Sequence, residues 1–154
     1  EELKSQASVN LDAARQALID ILENYQGMKQ CGLIVVFDAY RVKGGKAKVE
    51  RQGDVYIVYT EEAETADMYI EKVTYALGKE PRKRRVRVAT SDNLEQTIIL
   101  GRGATRLSSR ELLMEMNQVR AQGAKRPPAQ PAKATIGERI PRHVMEKLRE
   151  MFRE

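Results

Sequence analysis

The amino-acid sequence predicts an α/β fold: a three-layer α/β/α sandwich with a mostly parallel central sheet. Short runs of apolar, β-branched residues alternate along the chain with segments of helical periodicity, as in βαβ units. The apolar run Leu33–Phe37 is continuous rather than alternating, which is typical of a strand covered on both faces. The 154 residues, 42% of them hydrophobic, suffice for one domain with a full core.

The first half of the chain gives four elements in order. Apolar side chains recur at helical spacing over residues 11–25, with Asn10 placed to cap that helix. The strand Leu33–Phe37 follows, and a basic, glycine-containing loop over residues 41–48 leads to a second strand over residues 55–59. A helix is predicted next, over about residues 64–77.

The second half continues the alternation. A strand over residues 86–89 is followed by a helix over about 94–100, and a short edge strand covers residues 104–107. Ser108, with Glu111 three residues on, is a capping box that predicts a helix to about residue 122. We therefore predict one domain over residues 1–122, a Pro/Ala linker over 123–137 and a C-terminal helix over 138–154.

One feature of this order is unusual. The chain opens on charged residues and a helix, whereas an open α/β domain usually begins with a strand that becomes central in the sheet. The expectation is that the first strand is missing from this chain and belongs to a longer protein.

Composition argues against several classes of protein. No stretch approaches the roughly 20 apolar residues of a membrane span. One cysteine, Cys31, excludes an internal disulfide and a cysteine-rich zinc site, and one histidine, His143, argues against a Ser-His-Asp triad. Because no signal peptide precedes the first helix, a cytoplasmic protein is expected.

The net charge of +5 is unevenly distributed. Residues 1–78 contain 9 lysine and arginine residues against 13 acidic ones, whereas residues 79–154 contain 18 against 9. Such asymmetry suits a protein that collects carboxylates in one place and binds a polyanion with another, although a solvated surface explains charge alone equally well.

Carboxylates are predicted to gather at the carboxyl ends of the strands, where an open parallel sheet binds its ligands. Asp38 follows the first strand and Asp92 the third. Glu64, Asp67 and Glu71 are three and four residues apart on the helix after the second strand, so they share one face. Converging carboxylates repel one another unless a cation binds among them, and oxygen ligands select Mg²⁺ or Mn²⁺.

Each of these acids also has a simpler interpretation. Asp92 can be a helix cap, Glu64 and Asp67 can complement a helix dipole, and Asp38 can begin a turn. Their joint placement is what favours a metal site, at which a bound ion would polarise a phosphodiester and generate hydroxide from water. Few aromatic residues, 5% of the chain with no tryptophan, argue against a base-stacking platform.

Four short segments occur in one order along the chain. They are Ile34–Ala39, Glu64–Asp67 with Ile70 and Glu71, Val88–Asp92 with Glu95 and Gln96, and Gly103-Ala104 with Ser108–Leu113. Together they closely resemble the YacP-like branch of the NYN domain family, relatives of the PIN-domain nucleases. The resemblance covers about residues 1–122.

The resemblance implies a PIN-like fold and a metal-dependent endoribonuclease that cleaves messenger RNA in the ribosomal A site. Carried over by motif, Asp67 and Asp92 match the family's metal-binding acids, Asp38 matches the aspartate that ends its second strand, and Glu64 matches less closely. Family members begin with a strand ending in Val-Asp-Gly-Tyr-Asn, whose aspartate is a principal metal ligand, and this sequence lacks it.

The leading hypothesis is therefore an endoribonuclease that uses Mg²⁺ or Mn²⁺ and acts on messenger RNA at the ribosome, in a bacterial cytoplasm or a plastid stroma, provided that the full protein contains the missing N-terminal aspartate. Its expected RNA contacts are basic residues from the loops and the rear half, namely Lys43, Lys46, Arg102 and Arg106. Two alternatives stay open: a non-catalytic RNA- or ribosome-binding adaptor of the same fold, and a metal-dependent phosphohydrolase of small substrates.

Overall fold

The structure is a computed structural model that describes residues 2–38, 47–80, 85–91 and 104–124, together with residues 143 and 146. Three helices and five strands lie in these ranges. In chain order they are α1 (Glu2–Lys29), β1 (Leu33–Phe37), β2 (Lys48–Gln52), β3 (Val55–Tyr59), α2 (Ala66–Gly78), β4 (Arg87–Ala89), β5 (Thr105–Leu107) and α3 (Ser109–Ala124). The predicted helix over 94–100, the linker and most of the C-terminal segment lie outside the described residues.

The strands form two small sheets that are mostly parallel, as the sequence predicts. One sheet has the order β1-β3-β2, with β1 and β3 parallel and β2 antiparallel to β3. The other pairs β4 with β5 in parallel. Strand β2 was not predicted, and part of the segment assigned to a basic loop belongs to it. It is joined to β3 by a tight turn in which Gly53 has a φ of 57°, a value that favours glycine.

Strand β1 lies between two helical layers, which explains its continuous apolar sequence. Ile34 and Val36 pack into the cluster that contains Tyr69 and Val73 of α2. Leu33 and Val35 point to the other face, where they pack against residues of α1. Helices therefore pack on both faces of β1, as predicted, although each of its five residues is only partly buried.

Helix α1 differs from the prediction in its length and in its buried face. It begins at Glu2, so Asn10 lies within the helix and does not cap it. Ile19, Leu22 and Tyr25 are buried, whereas Leu11, expected on the packed face, is 51% exposed. The apolar side chains cover about half of the helix circumference, and the sequence pattern alone could not show which part of that sector meets the sheet.

Helix α3 begins with the predicted capping box. The Ser108 side chain accepts a hydrogen bond from the Glu111 backbone N–H at 3.2 Å, and the Glu111 carboxylate accepts one from the Ser108 N–H at 2.7 Å. These bonds hold the pKa of Glu111 below its usual value. Met116 and Val119 then pack α3 against Leu22 and Tyr25 of α1.

A hydrogen-bonded triad joins α1, β4 and α3. Glu115 accepts a hydrogen bond from the Tyr25 hydroxyl at 2.8 Å and two from the Arg87 guanidinium, at 2.6 and 3.2 Å. Burial, together with the hydrogen bond to Glu115, raises the pKa of Tyr25 to about 12. Arg87 and Tyr25 in turn hold the pKa of Glu115 below its ordinary value of 4.5.

The triad makes stability depend on pH in a defined direction. Because Glu115 has a lower pKa in the folded chain than in the unfolded one, its ionised form stabilises the fold above about pH 4.5, and this is lost as the pH falls through the folded pKa. Glu115→Gln is expected to lower stability at neutral pH by about 1–2 kcal/mol, since its bonds involve charged groups. Its Tm should then decline less steeply in acid; a decline parallel to that of the wild type would contradict this.

The C-terminal segment contacts the body of the domain at one described point. His143 Nε2 lies 2.9 Å from Glu80 Oε2, just beyond the C-terminal end of α2. His143 is otherwise exposed, as expected for a surface residue distant from the strand ends. None of the helices described in the structure has the length and apolarity required to cross a membrane.

Candidate active site

The carboxyl ends of β1 and β3 meet side by side. Phe37 pairs with Tyr59 in the parallel register, so the next residues, Asp38 and Thr60, are neighbours as well. The Thr60 backbone N–H donates to the Phe37 carbonyl at 3.1 Å, and the Thr60 hydroxyl approaches Asp38 Oδ1 at 3.4 Å. Thr60 is buried and Asp38 is exposed. The topology therefore presents the Asp38 carboxylate at the sheet edge where its function was predicted.

Asp67 lies at the same edge, because α2 begins shortly after β3 ends. Thr65 caps the helix, its hydroxyl accepting a hydrogen bond from the Met68 N–H at 3.3 Å. Asp67 follows in the first turn and is exposed to solvent. A carboxylate in this position is stabilised by the helix dipole while its oxygens stay available to a ligand.

Glu64 is buried, with only 3% of the residue exposed, although glutamate is rarely buried without partners. Lys72, two turns along α2, donates a hydrogen bond to Glu64 Oε1 at 2.5 Å. The second oxygen, Oε2, is also buried and has no hydrogen-bond partner among the residues that the structure describes. A buried carboxylate oxygen of this kind is a ready ligand for a cation or a water molecule.

Strand β4 carries the chain toward Asp92, which itself lies outside the described residues. The Thr90 N–H donates to the Leu107 carbonyl at 3.1 Å, which extends the pairing of β4 with β5. The next residue, Ser91, lies 2.7 Å from Ser109 through the two hydroxyl oxygens, at the start of α3. Asp92 follows directly in the sequence.

Helix α2 packs against both sheets. Ile70 of α2 packs against the buried residues Val88 and Ala104 of the second sheet. Tyr69 and Val73, on the neighbouring part of the same helix surface, pack on the first sheet. Helix α2 therefore contacts both strand systems, the one that leads to Asp38 and the one that leads to Asp92.

The predicted site is brought together only in part within the described residues. Among them, no three histidine, cysteine, aspartate or glutamate side chains lie close enough to hold a metal ion together. Glu64, expected on one face with Asp67 and Glu71, precedes the helix and turns inward to Lys72 instead. Of the predicted RNA contacts, Arg106 is exposed on β5, and Lys43, Lys46 and Arg102 lie outside the described residues.

Sequence reasoning missed two partners of these acids. Thr60 could have been found, because it follows its strand in the same register position as Asp38. The contact of Lys72 with Glu64 could not have been found. Glu64 precedes the helix, and helical spacing does not predict contacts between a residue inside a helix and one before it. The oxygen donors among these acids are the type preferred by Mg²⁺ and Mn²⁺, and Glu64 Oε2 has no hydrogen-bond partner among the described residues.

Comparison with known proteins assigns the chain to a family. The YacP-like NYN domain matches residues 1–153. The chain is 41% identical over 118 residues to the uncharacterised protein YacP of Bacillus subtilis (strain 168), covering 77% of this chain and 68% of YacP.

Solved structures agree with this assignment. The crystal structure of Rae1 (YacP) from B. subtilis matches with a TM-score of 0.61 and 40% identity, over 73% of this chain and 63% of the other. A variant of Rae1 also matches with a TM-score of 0.61, at 33% identity over 91% and 76% of the two chains. The chain thus spans roughly two thirds of these relatives. Its fold is the NYN/PIN-like α/β fold that the sequence predicts, and this domain type supports a nuclease activity. We conclude that the chain belongs to the YacP-like NYN domain family.

Proposed function

We propose that this protein is a metal-dependent endoribonuclease that hydrolyses RNA phosphodiester bonds, with messenger RNA in the ribosomal A site as its substrate. The observation that carries the proposal is Glu64, a buried carboxylate with an unpartnered oxygen among the described residues, next to the Asp67-bearing start of α2. Family membership supports a nuclease activity, and the carboxylates of the site support its dependence on a metal ion.

The acids at the sheet edge have different proposed roles. Asp67 and Asp92 would hold Mg²⁺ or Mn²⁺, with Asp38 and Glu64 completing or orienting the site. The ion, when bound, supplies Lewis acidity and a hydroxide nucleophile from water. Lys72 neutralises one oxygen of Glu64, so the local negative charge is reduced before any cation binds.

The basic residues would hold the RNA. Arg106 lies exposed on β5, opposite Val88 of β4. Together with Lys43, Lys46 and Arg102 it would contact phosphates, which position a nucleic acid without reading its sequence. The excess of positive charge after residue 78 supports binding to a ribosome as well as to messenger RNA.

A non-catalytic RNA- or ribosome-binding adaptor is the competing function. It is favoured by the finding that no three candidate ligands cluster within the described ranges. An adaptor would bind RNA with strong salt dependence but without any need for divalent ions. Cleavage therefore separates the two functions.

The test is cleavage of RNA by the full-length protein with Mn²⁺, with Mg²⁺ and with excess EDTA. On free RNA we expect internal cuts with either ion and none with EDTA, and on messenger RNA undergoing translation we expect internal cuts with either ion. Tight binding without cuts in any of these conditions would support the adaptor. Cuts that persist in EDTA would contradict the metal-dependent mechanism.

A further inference from the structure

Two aromatic rings stack at the carboxyl ends of β1 and β3. The ring centroids of Phe37 and Tyr59 lie 5.5 Å apart with an interplanar angle of 24°. These are the last residues of their strands, immediately before Asp38 and Thr60. The sequence does not reveal this pair, because Phe37 and Tyr59 are 22 residues apart and meet only through the parallel register.

The pair differs from the core residues that precede it. On the same face of β3, Val55 and Ile57 are almost fully buried, whereas Tyr59 is only half-buried. On this face of β3, which packs against α1, burial therefore decreases toward the carboxyl end, whereas Val58 and Thr60 on the other face are almost fully buried. An aromatic side chain required only for packing would gain more from the interior end of the strand.

Two cations flank the rings. The Arg15 guanidinium lies 5.6 Å from the centre of the Phe37 ring and is held by Asp12 at 3.2 Å. Lys48 lies directly opposite Tyr59 in the antiparallel register of β2 and β3, and its side chain is 66% exposed. Across the sheet the order is therefore Phe37, Tyr59 and Lys48, with Arg15 over the Phe37 ring and the exposed cation of Lys48 on strand β2.

We propose that Tyr59, supported by Phe37 and flanked by Lys48, is a binding subsite for one nucleotide of single-stranded RNA. The base stacks on the phenol ring, and Lys48 exchanges its contact with Glu50 for the adjacent phosphate. Stacking tolerates every base, so the subsite holds RNA without selecting a sequence, on the α1 face of the sheet at the carboxyl end that Asp38 follows. This inference rests on the proposed function and adds the place where the substrate strand is held.

Binding of short fluorescent oligouridine, measured by anisotropy in EDTA, tests the subsite apart from cleavage. Tyr59→Leu is expected to weaken binding about tenfold, the loss of one stacked base, while Tyr59→Phe retains it. An abasic oligonucleotide of the same length should bind Tyr59→Leu and the wild type equally. Tyr75→Leu, which removes an exposed tyrosine of α2, is the matched control.

Lys48→Gln gives a second, independent readout at an exposed position where folding is not at risk. It should weaken the oligouridine and the abasic strand alike, and reduce the slope of log Kd against log salt by about 0.7, the contribution of one phosphate contact. Circular dichroism checks that each variant is folded.

The outcomes separate the subsite from the proposed function. If the wild type cleaves RNA while Tyr59→Leu and Lys48→Gln bind oligouridine like the wild type, the subsite is wrong and the nuclease stands. If Tyr59→Leu weakens the abasic strand as much as oligouridine, no base stacks there and the proposal is overturned. A wild type that neither binds nor cleaves RNA would overturn both.

Discussion

Asp67→Asn is expected to lower the rate of RNA cleavage about a thousandfold, because loss of one ligand charge removes several kcal/mol of transition-state stabilisation at a metal site. The fold should survive. Asp67 is exposed in the first turn of α2, outside the core clusters, and asparagine has nearly the same shape. Only the interaction of the carboxylate with the helix dipole is lost, about 0.3–1 kcal/mol.

The matched control is Asp54→Asn, the same change at the turn that begins β3, at the opposite end of that strand. Asp54 forms an ion pair with Arg51 and has no part in the proposed site. Initial cleavage rates on translated messenger RNA should match the wild type for Asp54→Asn and fall about a thousandfold for Asp67→Asn. EDTA also dismantles ribosomes, so the variant pair is the decisive comparison there. Unchanged cleavage by Asp67→Asn would remove this residue from the mechanism.

The parts of the fold that could be predicted are those for which a local rule agrees with tertiary packing. The continuous apolar run of β1 is covered by helices on both faces, and the Ser108–Glu111 capping box forms as expected. Because β1 and β3 are parallel, the position of Asp38 at the carboxyl edge follows from the sequence alone.

Strand β2 could not be predicted in the same way. Its sequence, Lys48 to Gln52, is polar and has low strand propensity, and it is a strand because a tight turn at Gly53 returns the chain along β3. Its side chains also hold this hairpin to α1, since Gln52 donates hydrogen bonds to Asp20 and Glu23. These contacts are tertiary, so they could not be predicted from the pattern of the five residues of β2.

The candidate site was predictable in its location but not in its internal pairing. Topology dictates that the start of α2 lies at the same edge as Asp38. The inward turn of Glu64 depends instead on the space left between α2 and the sheet and on a lysine two turns away. The prediction applied helical spacing to Glu64, which precedes the helix, and therefore placed it on one face with Asp67 and Glu71.

Tyr69→Ala is expected to lower the free energy of unfolding by about 3–5 kcal/mol, the range for removal of a fully buried aromatic side chain. Tyr69 is 1% exposed, packs with Val58 and Val73, and lies two residues after Asp67 and five after Glu64. The helix it anchors covers both sheets, so its loss should also impair RNA cleavage near physiological temperature through a smaller folded fraction.

Tyr75→Ala on the same helix provides the comparison. Tyr75 is 48% exposed, and its ring contacts Lys79, whose ammonium lies 4.1 Å from the ring centre. An exposed contact of this kind contributes about 0.5–1 kcal/mol, so urea denaturation should show a small shift for Tyr75→Ala and a large one for Tyr69→Ala. Equal shifts would mean that α2 is not anchored through Tyr69. The placement of Asp67 and Glu64 at the sheet edge would then lose its physical basis.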